Sequence, residues 1–131
     1  MLDRILSPYA EFAYALLRVV AGLMFAFHGY QKFFGGATPP VGSQMWLGAV
    51  IELLGGLLIA VGLGTVYAAF LASGTMAVAY AQFHWKGALD ANFFPINNKG
   101  ELALLYCLVF FYFAFRGPGR YSLDAALQRR S

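Results

Sequence analysis

Apolar residues run through this chain in long blocks, broken by short polar or Gly/Pro-rich stretches rather than alternating with polar positions. A helix that crosses the hydrocarbon core of a bilayer needs about 20 consecutive, mostly apolar residues. Four segments carry that pattern: Tyr9–Phe34, Met45–Leu63, Thr65–Trp85 and Lys99–Arg116. The interruptions have local causes. Gly35-Gly36 and Thr38-Pro39-Pro40 stop the first helix, Gly62 and Gly64 carry a tight second turn, and Gly117-Pro118-Gly119 ends the fourth. The longest connection, Lys86 to Asn98, contains Pro95 and an Asn97-Asn98 pair. Beyond the fourth helix, Ser122 is suited to cap a short amphipathic helix over 122–130, with Leu123, Ala126 and Leu127 on one face. The expected fold is all-α: a single membrane domain over residues 1–131, built as a four-helix transmembrane bundle with up-down-up-down topology.

Composition narrows the class further. Hydrophobic residues make up 60% of the chain and charged ones 11%, against roughly 25% charged in soluble domains. So few charges cannot cover a water-facing surface, so the bulk of the exterior is expected to face lipid. The net charge of +3 is too small and too dispersed for nucleic-acid binding. Lone Cys107 lies in an apolar run and reads as a small buried hydrophobe. The N-terminus begins somewhat like a signal peptide. Arg18 interrupts the apolar stretch and no small-residue cleavage site follows, so it is read as a retained first helix. Arg4, Arg116, Arg120, Arg129 and Arg130 gather on the side of both termini, against Lys32, Lys86 and Lys99 on the other. By the positive-inside rule both termini are then cytoplasmic. On helix two, Gly48, Glu52, Gly56, Ala60 and Gly64 recur every four residues, and Ala69, Ser73, Ala77 and Ala81 do so on helix three. Such stripes let helix backbones approach closely in lipid, and they turn Glu52 toward the interior.

The ionisable residues are the candidate chemistry. At the centre of a membrane helix each costs about 2.5–3.5 kcal/mol on insertion scales, so such groups face an interior or a cavity. Arg18, Phe25, His28 and Lys32 fall within one stripe of helix one; Glu52 lies two turns into helix two, His84 in the last turn of helix three, and Lys99 and Glu101 at the start of helix four. All but the deeper Arg18 fall in the half away from the termini. Simpler readings exist for each. Lys32, Lys99 and His84 can snorkel to water, Arg18 and Glu52 can form a structural ion pair, and Glu101 suits the first turn of a helix. Convergence from four helices points instead to a polar pocket or a proton-handling network. Two histidines on different helices can ligate haem, or a His/Glu set a metal, but no close-spaced ligand motif is present and no metal ligand is assigned. A short internal repeat, FHGYQK ending helix one and FHWK ending helix three, each before a helix with an early glutamate (Glu52, Glu101), suggests two related hairpins with paired His/Glu sets.

Arg18, the FHGYQKFFGG run, ELLGGLLIAVGLGT, FFPINNKGELALLY and the closing GPGRYSLD, in this order and spacing, resemble the DoxX family of small four-helix membrane proteins over nearly the whole chain. That family is named after the membrane subunit of a thiosulfate:quinone oxidoreductase, and its relatives are linked to thiol redox balance and oxidative-stress complexes at the membrane. The resemblance implies a membrane subunit of an oxidoreductase system in a bacterial cytoplasmic (inner) membrane, binding quinone or relaying its protons, with catalysis shared with a partner redox protein. Paired cysteines, a flavin motif and a nucleotide loop are lacking. Under this reading Glu52 and Glu101 carry protons, His28 and His84 hydrogen-bond the substrate, Arg18 and Lys32 hold negative charge, and Lys99 joins them in binding substrate. Phe25, Tyr80 and Tyr106 line the apolar part. The competing class is a small transporter or channel, or a non-catalytic scaffold that recruits partner proteins. A homo-oligomer is compatible with an outward aromatic face on helix four (Phe110, Phe111, Phe113).

Overall fold

A computed structural model describes residues 1–131. The chain is helical, with no strand. Three helices, α1 (Leu2–Phe34), α2 (Gln44–Val61) and α3 (Thr65–Trp85), are long and apolar enough to cross a membrane. The fourth, α4 (Glu101–Arg116), has 16 residues, about 24 Å at 1.5 Å per residue, shorter than the ≈30 Å hydrocarbon core. A last short helix, α5 (Leu123–Gln128), follows the Gly117-Pro118-Gly119 turn. Phe12, Leu16, Phe27, Tyr67, Phe70 and Phe115 are each more than half exposed, the surface of a multi-pass membrane protein rather than of a soluble one.

The helix ends follow from local chemistry. α1 starts earlier than Tyr9 because a single 3₁₀ turn, Ser7–Tyr9, absorbs Pro8 without breaking the helix. The Ser43 hydroxyl caps α2 by accepting the Trp46 N–H at 3.2 Å. Gly62 ends α2 in the left-handed conformation at φ 73°. α4 begins at Glu101 rather than Lys99, since Lys99 itself is left-handed at φ 60° and cannot be the first residue of a helix. Ser122 caps α5 through the Ala125 N–H at 3.1 Å, as its position suggested.

The closest packing joins α1 to α2 and α3 to α4. A Cβ on Gly22 would stand 2.6 Å from both the Gly56 carbonyl oxygen and the Ala60 nitrogen, and Gly29 meets the backbone of Ala49 and Leu53 in the same way. The residue order of these contacts makes α1 and α2 antiparallel. Of the expected α2 stripe, Glu52, Gly56 and Ala60 are buried, whereas Gly48 and Gly64 face open space. On α3, Ala69 and Ser73 are buried but Ala77 and Ala81 are exposed, and burial passes to Ala72 and Met76. A four-residue step advances 400°, so a strict four-residue stripe drifts some 40° per step around a straight helix. The Ser73 hydroxyl donates to the Cys107 carbonyl at 2.8 Å across the α3–α4 contact.

Aromatic rings fill the space between the two helix pairs. Phe25 lies 4.7 Å from Phe110 and 5.4 Å from Tyr106, and Tyr14 lies 5.5 Å from Phe113, centroid to centroid. Phe110 and Phe113 are therefore fully buried. Two of the three rings expected to face outward on helix four are thus filler between α1 and α4, and the aromatic residues that do face out are Phe111, Tyr112 and Phe115.

Candidate functional site

At the end away from the termini, a cavity of about 340 Å³ opens where the two helix pairs meet, a volume within the usual range for small-molecule pockets. Each of the four main helices lines it: Phe25, His28 and Lys32 from α1, Met45 and Glu52 from α2, Met76, Phe83 and His84 from α3, and Leu102, Ala103 and Tyr106 from α4, with Lys99 just before it. The lining combines apolar and aromatic side chains with ionisable ones.

The central polar feature is a charge pair. The Lys32 ammonium donates to Glu52 Oε1 at 2.7 Å, with the Glu52 side chain 6% exposed and that of Lys32 34%. Lys32 extends from a wetter place toward a buried carboxylate, as an amphipathic side chain does. The pair neutralises itself, which a low-dielectric setting demands. Glu52 Oε2 and the Tyr106 hydroxyl are both buried and without a hydrogen-bond partner. Each belongs to a residue of the cavity wall. Buried polar atoms are ordinarily paired, and an orphan costs about 1–3 kcal/mol. Here one orphan is an acceptor and the other an O–H donor, so a ligand offering both a donor and an acceptor would satisfy them.

Two irregular turns face the same cavity. Ile51–Gly55 of α2 and Tyr80–Trp85 of α3 are wound as π-helix, with one extra residue per turn. The first carries Glu52, the second Phe83 and His84. Such insertions reset the direction of the side chains around them and concentrate at functional sites. Nothing in the hydrophobic pattern marks them.

His84 lines the cavity with its ring stacked on Tyr80 and Nδ1 3.3 Å from the Asn98 carbonyl. The Asn98 amide in turn donates to the Tyr80 hydroxyl at 3.2 Å. Tyr80 thus positions the loop and His84 rather than lining the cavity, and its ring leaves room only for glycine at position 100. His28 stands edge-on to Tyr106, ring centroids 6.0 Å apart. Lys99 reaches the cavity from its left-handed turn. Glu101 does not belong to this group. It is exposed and absent from the cavity wall, because the first turn of α4 points it outward while buried Ala103 and the half-exposed Leu102 line the cavity. The two hairpins consequently do not present matching His/Glu sets: Glu52 is 4% exposed and Glu101 is open.

Arg18 is brought elsewhere. Its guanidinium donates to the carbonyls of Ile59 (3.0 Å), Tyr121 (2.7 Å), Pro118 and, at the distance limit of 3.5 Å, Ala60. The alternative Arg18–Glu52 ion pair is absent because the guanidinium directs four N–H···O bonds to backbone carbonyls at the opposite end, and Lys32 pairs with Glu52 instead. Around Arg18 the closing segment is clamped. The Tyr14 hydroxyl donates to the Gly117 carbonyl at 2.5 Å, Glu11 pairs with Arg116, and the Asp124 N–H donates to the Gly62 carbonyl at 2.9 Å. The Asp124 carboxylate accepts the Gly64 and Thr65 N–H groups at 2.9 and 3.1 Å and the Thr65 hydroxyl at 3.2 Å, capping α3. Burial alone would raise the Asp124 carboxyl, but these hydrogen bonds together with nearby Arg18 hold it below the ordinary aspartate range. Of the residues the sequence reading overlooked, Tyr106 is the important one: it was counted only as apolar lining, and its buried hydroxyl is legible only once its surroundings are known.

The family model described as DoxX matches residues 13–85, which spans α1 to α3. A protein of Haemophilus influenzae described only as uncharacterized is 45% identical over 126 residues, covering 91% of this chain and 93% of its own length. A span of that length has to take in α4 as well. No solved structure matches.

Proposed function

This chain belongs to the DoxX family of membrane proteins, and from that premise we propose that it is the membrane subunit of an oxidoreductase system, binding a quinone head group in the cavity between its four main helices. In this reading α4 completes a four-helix, up-down-up-down transmembrane bundle. Both termini lie at the cytoplasmic face of a bacterial inner membrane, an orientation supported by the arginines near the termini.

The observation that carries the proposal is the pair of orphaned buried oxygens, Glu52 Oε2 and the Tyr106 hydroxyl, in the wall of one cavity. A quinone carbonyl accepts a hydrogen bond and a quinol hydroxyl donates one. Tyr106 and the Lys32 ammonium supply donors for the first; Glu52 supplies the acceptor for the second. Glu52 is also the proton carrier, since Lys32 leaves one of its oxygens free and sits where charge can be balanced. Phe25 and the ring of Tyr106 offer flat apolar surface to the head group. Lys99, His28 and His84 line the same wall and contribute polarity at its rim. A partner protein supplies the remaining redox chemistry, for which this chain has no paired cysteines.

The test is binding of a tailless benzoquinone to the protein in lipid nanodiscs, read by quenching of Trp46 and Trp85. Tyr106→Phe and Glu52→Gln each preserve shape and remove one partner, and each is expected to weaken binding about tenfold. Wild-type affinity in both variants, together with no quinone in a solvent extract of gently purified protein, overturns the reading.

A further inference from the structure

Beside the cavity a second space of about 420 Å³ forms a groove along α2 and α3. Leu47, Ile51, Phe70, Leu71 and Val78 make its walls, and all but Ile51 are among the residues turned to the exterior. Gly48 and Gly74 also line it, and nothing lies within 4 Å of where a Cβ would stand on either. The absent side chains keep the groove open. Lys32, Met45, Glu52, Met76, Ala79 and Phe83 line both the groove and the cavity, so the two spaces share a wall that includes the Lys32–Glu52 pair. Near the end of α2 away from the termini, the Gln44 amide donates to Gln82 Oε1 at 2.6 Å, which ties α2 to α3.

We infer that the groove is a lateral way in from the bilayer and the seat of an apolar tail. The ligand is then a membrane-dissolved amphiphile, with its polar head in the cavity and one long chain between α2 and α3, rather than a water-soluble molecule. This inference rests on the head-group reading above. The geometry favours a tail as the occupant because the groove has an apolar lining, faces the lipid side and joins the head-group cavity through shared residues. A water-soluble ligand would need none of these. Lipid chains solvate a tail as well as the groove does, so the groove contributes orientation more than hydrophobic energy. It delivers the head to Glu52 in one direction.

The experiment compares a tailless and a decyl-substituted benzoquinone on wild type, Gly48→Leu and Gly74→Leu in nanodiscs. Leucine is a stronger helix former than glycine, and both sites are open, so the variants are expected to fold, which thermal unfolding checks. The expected result is about tenfold weaker binding of the decyl compound to each variant, with the tailless compound unchanged. Equal decyl affinity in all three proteins overturns the groove while leaving the head site standing, provided the tailless compound still responds to Glu52→Gln. A tailless compound that ignores Glu52→Gln removes the head site, and the inference falls with it. A variant that loses both compounds equally also overturns the tail assignment.

Discussion

The Lys32 ammonium sits 2.7 Å from Glu52 Oε1, and the other oxygen of the same carboxylate is buried without a partner. A charge pair that left no atom over would be sufficient explained as a brace between α1 and α2. This one leaves a buried acceptor over on a residue that lines the cavity, which is what gives the site its reading.

The pair predicts an asymmetric response to mutation. Lys32→Met strands a buried carboxylate and is expected to cost about 3 kcal/mol in thermal or denaturant unfolding in detergent. Glu52→Gln leaves only a lysine that can snorkel, and costs less. The double variant is expected to recover most of the Lys32→Met loss. Equal losses in both single variants would mean that the pair is not buried as described.

Arg18 predicts the opposite separation of stability from binding. Arg18→Met leaves the carbonyls of Pro118 and Tyr121 without their donor, while that of Ile59 keeps the Gly62 N–H. With about 1–3 kcal/mol for each orphaned group, a loss of about 2 kcal/mol or more is expected. Arg18→Lys restores only part of it, because an ammonium cannot reach several carbonyls as a planar fork does. Quinone binding at the distal cavity is expected to be unchanged in protein that remains folded; a selective loss of binding would return Arg18 to the site.

Asp124 predicts a pH dependence. Its folded carboxyl lies below the ordinary value of 3.8, so the ionised form is the one that folding favours. The stabilisation is fully present above the unfolded value and fades as pH falls through the lower folded value. Asp124→Asn is therefore expected to be less stable than wild type at pH 7, with the gap closing as pH drops below about 4. Unfolding midpoints for both proteins over that range check it, and a gap independent of pH would contradict it.

The glycines of α1 make the sharpest packing prediction. A Cβ on Gly22 meets backbone of α2 at 2.6 Å, whereas one on Gly48 meets nothing within 4 Å. Gly22→Ala is expected to cost about 1–3 kcal/mol as overpacking, and Gly48→Ala nothing or a small gain. Comparing their melting temperatures in one detergent tests both.

Much of this molecule was legible before any coordinates. Long apolar runs and their Gly/Pro breaks located the helices to within a few residues, apart from the early start of α1 at Leu2. The Ser122 cap was placed correctly. Helical spacing put Glu52 on a buried face and grouped His28 with Lys32. It failed where a side chain had a choice of direction. Arg18 shares a stripe with His28 and Lys32, yet its long flexible side chain turns toward the other end, where backbone carbonyls await it. Glu101 and Ala103 are two positions apart, and only the rotation of α4 decides which of them is buried.

What the sequence determined by itself is the class: an all-helical, lipid-facing chain, because apolar run length and scarcity of charge are local properties that no tertiary contact can reverse. What only the tertiary structure decided is the site. Which cation meets Glu52, which tyrosine hydroxyl is left orphaned, and how two π turns come to face one cavity all depend on distances between residues 20 or more positions apart. Those distances are set by how glycine-lined helices approach and how aromatic rings hold the two pairs apart. Neither is written in the order of residues along any one helix.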